Sequence, residues 1–177
     1  MTDTVLERGQ AATDDRTQYL LDRAEISDVI CNYARGVDSH DWTLFRSCFA
    51  DEIEADFTSL GDMGHFRGSA DKWVKLAKGL MEALDATQHL MGNIQVEVNG
   101  DEAVGRSYLQ AQHVHAEDLG GSQYIIAGHY RWDMVRTPQG WRVRRYSLTK
   151  QWTSGNRFVF TAAMERAKNR AKQGAGQ

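Results

Sequence analysis

Apolar residues recur at helical period through the first well-patterned stretch of the chain. Ile26, Ile30, Tyr33 and Val37 fall at i, i+4, i+7 and i+11, one stripe of a helix over 18–36. Gly36 is expected to loosen its last turn, so that Val37 and Asp38 leave the helix axis. A short second helix is predicted over 41–50, with Trp42, Phe45 and Phe49 on one face and Asp41 near its positive end. Short strands follow near 53–58 and 64–67, then a third helix over 69–84, apolar at Trp73, Leu76, Leu80 and Leu84. Residues 1–16 have no periodicity and are expected to form a mobile or partner-bound arm.

Beyond this point the period changes to that of strands. Four long strands are predicted over 87–99, 102–117, 122–137 and 140–153. They are joined by Asn99-Gly100-Asp101, Leu119-Gly120-Gly121 and Thr137-Pro138-Gln139-Gly140, each good turn chemistry. Helices first and antiparallel strands afterwards give an α+β fold, a cone-shaped curved sheet wrapped around three N-terminal helices and enclosing a cavity. The expected organisation is an arm over 1–16, a cone domain over 17–155, and a C-terminal helix and basic tail over 156–177. Wall positions alternate along each strand. If His113 faces inward, so do Ser107, Leu109, Ala111 and His115, and His129 lies on the neighbouring strand.

Composition narrows the function. At 177 residues the chain is one domain with room for a cavity. The net charge is −3 with dispersed basic residues, which argues against nucleic acid as a partner. No apolar run approaches the roughly 20 residues of a membrane helix, and the polar N-terminus predicts a cytoplasmic protein. Cys31 and Cys48, in no redox or ligand spacing, are expected to be reduced core residues.

The chemistry rests on Asp38, in VDSHD, and His89, in TQH. A carboxylate accepting an imidazole Nδ1 proton fixes the tautomer and stabilises the imidazolium, leaving Nε2 free to take a proton. The structural alternatives are a capping aspartate beside Ser39 and a satisfied core histidine. His113 is a candidate second acid/base or leaving-group contact, and Tyr33 a phenol aimed at the ligand or a core residue. Phe57, Trp42 and Trp152 are candidate ring contacts for an aromatic substrate, or packing. His129 is a candidate at the cavity mouth, whereas His40 and His65 are expected at the surface. His113, His115 and Glu117 would share a strand face and invite a metal reading, but the spacing is too tight for a cupin-like site, so no metal is expected.

The stretches RAEISDVICNYARGVDSHDWTLFRSCFAD, TQHLMGNIQVEVNGDEAVGRSYLQAQH and YRWDMVRTPQGWRV, in this order and spacing, resemble the SnoaL-like, nuclear-transport-factor-2-like superfamily. Within it the likeness is greatest to scytalone dehydratase and the cofactorless hexachlorocyclohexane dehydrochlorinase. The resemblance implies an Asp–His dyad at Asp38 and His89 and a second active-site histidine at His113. It also implies no cofactor, and a homo-oligomer, with a trimer favoured over a dimer. Val37 and Phe57 stand where the dehydratase has two water-holding tyrosines, and its substrate-contacting asparagine falls near His129. The dehydrochlorinase arginine position falls at Tyr146, with Arg144 and Arg145 nearby, and is not carried over. The implied function is a cofactor-independent lyase on a small hydroxylated aromatic molecule, losing water or, from an aryl diol, formaldehyde. The alternative is a non-catalytic ligand-binding or dioxygenase small-subunit-like member of the fold.

Overall fold

The computed structural model describes residues 2–61, 64–116 and 121–174. Helix α1 (Thr2–Asp38) and the short α2 (Trp42–Ser47) lead into β1 (Phe49–Asp56), β2 (His65–Ser69) and α3 (Ala70–Met81). The long strands β3 (Ala86–Asn99), β4 (Glu102–Val114), β5 (Gln123–Thr137) and β6 (Gly140–Gly155) follow, and α4 (Val159–Gly174) closes the described chain. Among the described residues the strands form one sheet in the order β2-β1-β6-β5-β4-β3. Only β1 and β6 run parallel; every other pair is antiparallel. The fold is thus the expected α+β, a curved mixed sheet left open at its edges. No helix among the described residues is long and apolar enough to cross a membrane.

Curvature comes from the strands themselves. The β3–β4 register slips between Gly92 and Gln95, where Asn93 takes a positive φ of 50°. Such a bulge bends a strand and strengthens its twist, and here it folds the His89 end of β3 toward the helices. Gly100, at φ 63°, makes the tight turn into β4 that a side chain would strain.

The core lies between α1 and the concave sheet face. Ile26 and Ile30 are wholly buried, Tyr33 and Val37 nearly so, so the α1 stripe is the face that meets the sheet. Each isoleucine contributes on the order of 2 kcal/mol by leaving water. Opposite them, Trp132 and Met134 of β5 and Trp141, Val143 and Tyr146 of β6 are buried to within 1 %. One buried ion pair fixes α1 lengthwise. Asp22 accepts from Arg136 Nη1 at 2.7 Å and Nη2 at 2.8 Å, and from Trp141 Nε1 at 3.1 Å. The Arg136 guanidinium holds the Asp22 carboxyl down at about 2, against the burial that would raise it.

Four expectations are corrected. Helix α1, expected from residue 18, begins at Thr2; lack of an apolar stripe does not prevent helical hydrogen bonding where no proline intervenes. Gly36 does not loosen α1, which stays helical to Asp38. Its role is close approach, since a Cβ there would stand 2.7 Å from the Phe45 backbone nitrogen. Helix α2 stops at Ser47, and Phe49 opens β1 instead. Cys48 is buried as expected, but Cys31 is exposed; one residue past Ile30, it turns about 100° off the buried stripe.

Candidate active site

Asp38 ends α1 because the helix must turn toward α2 there, with Asp41 capping α2 through a 2.9 Å bond from the Leu44 amide. The carboxylate at that helix end faces the start of β3. Its Oδ1 accepts from the His89 ring Nδ1 at 2.7 Å and from Thr87 Oγ1 at 2.8 Å, while Oδ2 accepts from the His89 backbone amide at 2.6 Å. Burial alone would raise the Asp38 carboxyl. The His89 side chain, its charge when protonated, its amide and Thr87 outweigh burial and hold it below the ordinary carboxylate value. With Nδ1–H committed to a carboxylate, the His89 lone pair is on Nε2.

His113 enters from β4, facing the same side. Its ring lies edge-on to that of His89, centroids 5.6 Å apart and planes at 87°. Nδ1–H donates to the Tyr124 carbonyl at 3.3 Å, so this Nε2 also carries a lone pair. Burial, and after it the proximity of His89, push the His113 pKa down to about 3. At neutral pH it is therefore an uncharged hydrogen-bond acceptor. The sequence reading left open whether His113 would give a proton or accept one; the geometry favours acceptance.

Both imidazoles line a cavity of about 260 Å³ bounded otherwise by apolar and aromatic side chains, among them Tyr33, Phe57, Trp73, Ile126, Tyr130 and Leu148. Among the described residues, no lysine or arginine lines it. Leu76 lines the cavity and is also 57 % exposed, which puts an opening beside α3. The strand alternation predicted for β4 holds: Ser107, Leu109, Ala111, His113 and His115 are all buried.

Of the residues singled out in the sequence, Asp38, His89, His113, Tyr33 and Phe57 converge here. Three others do not. Trp42 donates from Nε1 to Glu82 Oε1 at 2.9 Å and stacks on His40, tying α2 to the end of α3 outside the cavity. His129 has the wrong parity: Tyr130 beside it faces in, so His129 faces out and packs on Tyr108, ring centroids 4.7 Å apart. Trp152 is half exposed and borders the same outer groove as Leu90, Tyr108 and His129. A register shift between Ala127 and Gly128 interrupts the β5–β6 pairing beside it.

His40 is exposed, and His65 pairs with Glu54 at 2.8 Å, as surface residues do. His115 is buried with its Nδ1 3.4 Å from Asp85, which Arg166 of α4 also holds at 2.7 Å. It belongs to the joint between β4 and α4. Glu117, the third residue of the metal reading, lies outside the described residues; among the described ones no group of three or more potential ligands is placed to hold an ion.

Sequence reasoning missed the wall contributed by α4. Phe160 lines the cavity and packs on His113 at 4.6 Å between ring centroids. The apolar run Phe158-Val159-Phe160 after a strand was its signal. Tyr130 was missed as well, although the parity that removes His129 points to it.

Comparison with known proteins agrees with the fold. Residues 18–147 match the SnoaL-like domain. An uncharacterized protein of Mycobacterium tuberculosis is 29 % identical over 130 residues, covering 73 % of this chain and 85 % of its own. A scytalone dehydratase of Pestalotiopsis fici is 26 % identical over 108 residues, 59 % of this chain and 56 % of that protein. Among solved structures, a protein of Kribbella flavida superposes with a TM-score of 0.73 at 27 % identity, covering 77 % of this chain and 95 % of that one. A hexachlorocyclohexane dehydrochlorinase of Novosphingobium barchaimii shares the fold, with a TM-score of 0.66 at 19 % identity over 80 % of this chain and 94 % of its own.

Proposed function

Because this chain belongs to the SnoaL-like family, we propose that it is a cofactor-independent lyase acting on a small hydroxylated aromatic molecule. The observation that carries the reading is the Asp38–His89 pair opening into an apolar cavity beside a neutral His113. Asp38 orients the ring and stabilises the imidazolium; His89 Nε2 takes the proton. His113 Nε2 accepts a hydrogen bond from a second hydroxyl and holds it in place. Two acceptor imidazoles 5.6 Å apart suit a substrate with two hydroxyls on neighbouring carbons or one carbon further.

On such a diol the steps balance without an added reactant. His89 takes the proton of the terminal hydroxyl, the carbon–carbon bond breaks to release formaldehyde, and its electrons form the alkene. The benzylic hydroxyl leaves and takes the proton back from His89, departing as water. Simple dehydration uses the same pair, with the first proton drawn from carbon. An apolar cavity of about 150 Å³ accommodates benzene, so about 260 Å³ encloses one substituted ring. A second ring would extend through the opening beside Leu76.

The test is an assay on aryl-substituted propanediols and benzylic alcohols, reading formaldehyde and alkene. Alkene formation in the wild type and its loss in His89→Gln support the lyase. No turnover of any such alcohol by the wild type leaves the non-catalytic, ligand-binding reading.

A further inference from the structure

Two phenols and an indole line one part of the cavity, away from the imidazoles, and a third phenol packs behind them. Tyr33, Tyr130 and Trp73 line it, and Tyr146 packs against all three, with ring centroids 5.5, 5.8 and 6.0 Å away respectively. The Tyr33 and Tyr130 hydroxyls are 3.5 Å apart, so one donates to the other and one proton is left over. Trp73 Nε1 and Tyr146 Oη are buried with no hydrogen-bond partner. Trp73 and Tyr33 are near enough to the Tyr146 hydroxyl to ease its ionisation, yet neither completes a bond to it. Burial raises all three phenols well above their ordinary pKa, so they remain protonated donors.

Buried donors left unpaired cost stability, and each one in a native structure calls for an acceptor. A carboxylate fits poorly, since no lysine or arginine among the described residues lines the cavity to balance the charge. An alkyl end would leave the donors as they are. A phenolic oxygen fits: it accepts from the indole N–H and exchanges a hydrogen bond with a tyrosine. The level of the cluster fits too. Tyr130 pairs with Ser107, whereas His89 pairs with Ala111, four residues along β4 and roughly 13 Å of strand. Flat apolar walls from Phe57, Leu109, Ile126 and Leu148 complete the cavity.

We propose that Trp73, Tyr33 and Tyr130, backed by Tyr146, form a subsite for the phenolic oxygen of a para-substituted aromatic ring, whose opposite end carries the hydroxylated carbons to His89 and His113. The identity of the reacting end rests on the lyase reading; binding of the phenol does not.

The experiment compares two probes, 4-propylphenol and propylbenzene, by calorimetric titration of the full chain. The wild type binds the phenol about 10-fold more tightly, the effect of one good buried hydrogen bond. Trp73→Phe and Tyr130→Phe each reduce that ratio to about 2-fold. His89→Gln keeps the ratio. A ratio near unity in the wild type, or one that survives in Trp73→Phe, overturns the subsite. If Tyr130→Phe fails to fold, Trp73→Phe, on the half-exposed helix α3, carries the test. A retained ratio without turnover of any diol defeats the lyase and leaves the subsite; turnover with a ratio near unity does the reverse.

Discussion

Asp38 holds His89 at two points with one carboxylate: Oδ2 takes the backbone amide at 2.6 Å and Oδ1 the ring Nδ1–H at 2.7 Å. Strand and side chain of the same residue are held by one group, so the carboxylate that orients the ring is itself fixed against the strand.

That double hold makes Asp38→Asn a sharper lesion than loss of charge alone. An asparagine has one oxygen, so in either orientation its amide NH₂ confronts one of the two His89 donors. Asp38→Asn and His89→Gln are each expected to lower kcat by about 10²- to 10⁴-fold on a turned-over substrate, with a much smaller change in KM. Steady-state kinetics on the purified variants check this. Full activity in either one removes the dyad from the mechanism.

His113 makes stability depend on pH. Its folded value of about 3 lies below the ordinary 6.5, so between those values only the unfolded chain takes up the proton. The stabilisation is complete above 6.5 and is lost as pH falls toward 3, with a slope of up to about 1.4 kcal/mol per pH unit. Urea midpoints measured across that range should drop steadily in the wild type. His113→Phe should flatten the drop, and an unchanged slope would show that His113 is not held neutral by the fold.

The Asp22–Arg136 pair titrates lower. Asp22 is held at about 2 against an ordinary 3.8, which corresponds to about 2 kcal/mol of stability. It is present above 3.8 and lost as pH falls through 2. Asp22→Ala, which strands Arg136 and Trp141 Nε1, should cost about 3 kcal/mol in chemical denaturation. A double-mutant cycle with Arg136→Met measures how much of that is the pair itself; a coupling near zero would assign the cost to packing.

The outer sheet face carries Leu90, Tyr108 and Trp152, 62, 55 and 50 % exposed. We propose this face as a contact between copies of the chain. Trp152→Glu is expected to shift the protein toward monomer in sedimentation velocity while leaving the cavity unaltered. A wild type that sediments as a monomer would rule the contact out.

Legibility in the sequence followed the periodicity of each segment. The α1 stripe and the β4 alternation were readable because one face is buried and the other wet, which writes the period into the residues. Asp38 and His89 were recoverable from the family resemblance, since nothing local in VDSHD or TQH separates a dyad from a cap and a core histidine. Parity on β5 and β6 was harder. The register slips near Gly128 and Met134, and only the pairing decides which of His129 and Tyr130 faces in. Trp42 was misread for a related reason: a six-residue helix turns its rings as its neighbours dictate, and Glu82, forty residues away, dictates here. The donor cluster could not have been seen at all, since Tyr33, Trp73, Tyr130 and Tyr146 come from four separate elements.

Phe160 shuts one side of the cavity from α4, a helix outside the sheet and held to the segment between α3 and β3 through a small separate cluster of Ala83, Leu84, Val159 and Ala163. The Asp38–His89 pair and the face that covers it therefore come from separate parts of the chain. Changes near the end of the chain can reshape what fits against His113 without touching strand pairing or the dyad, so relatives with the same catalytic pair need not share a substrate.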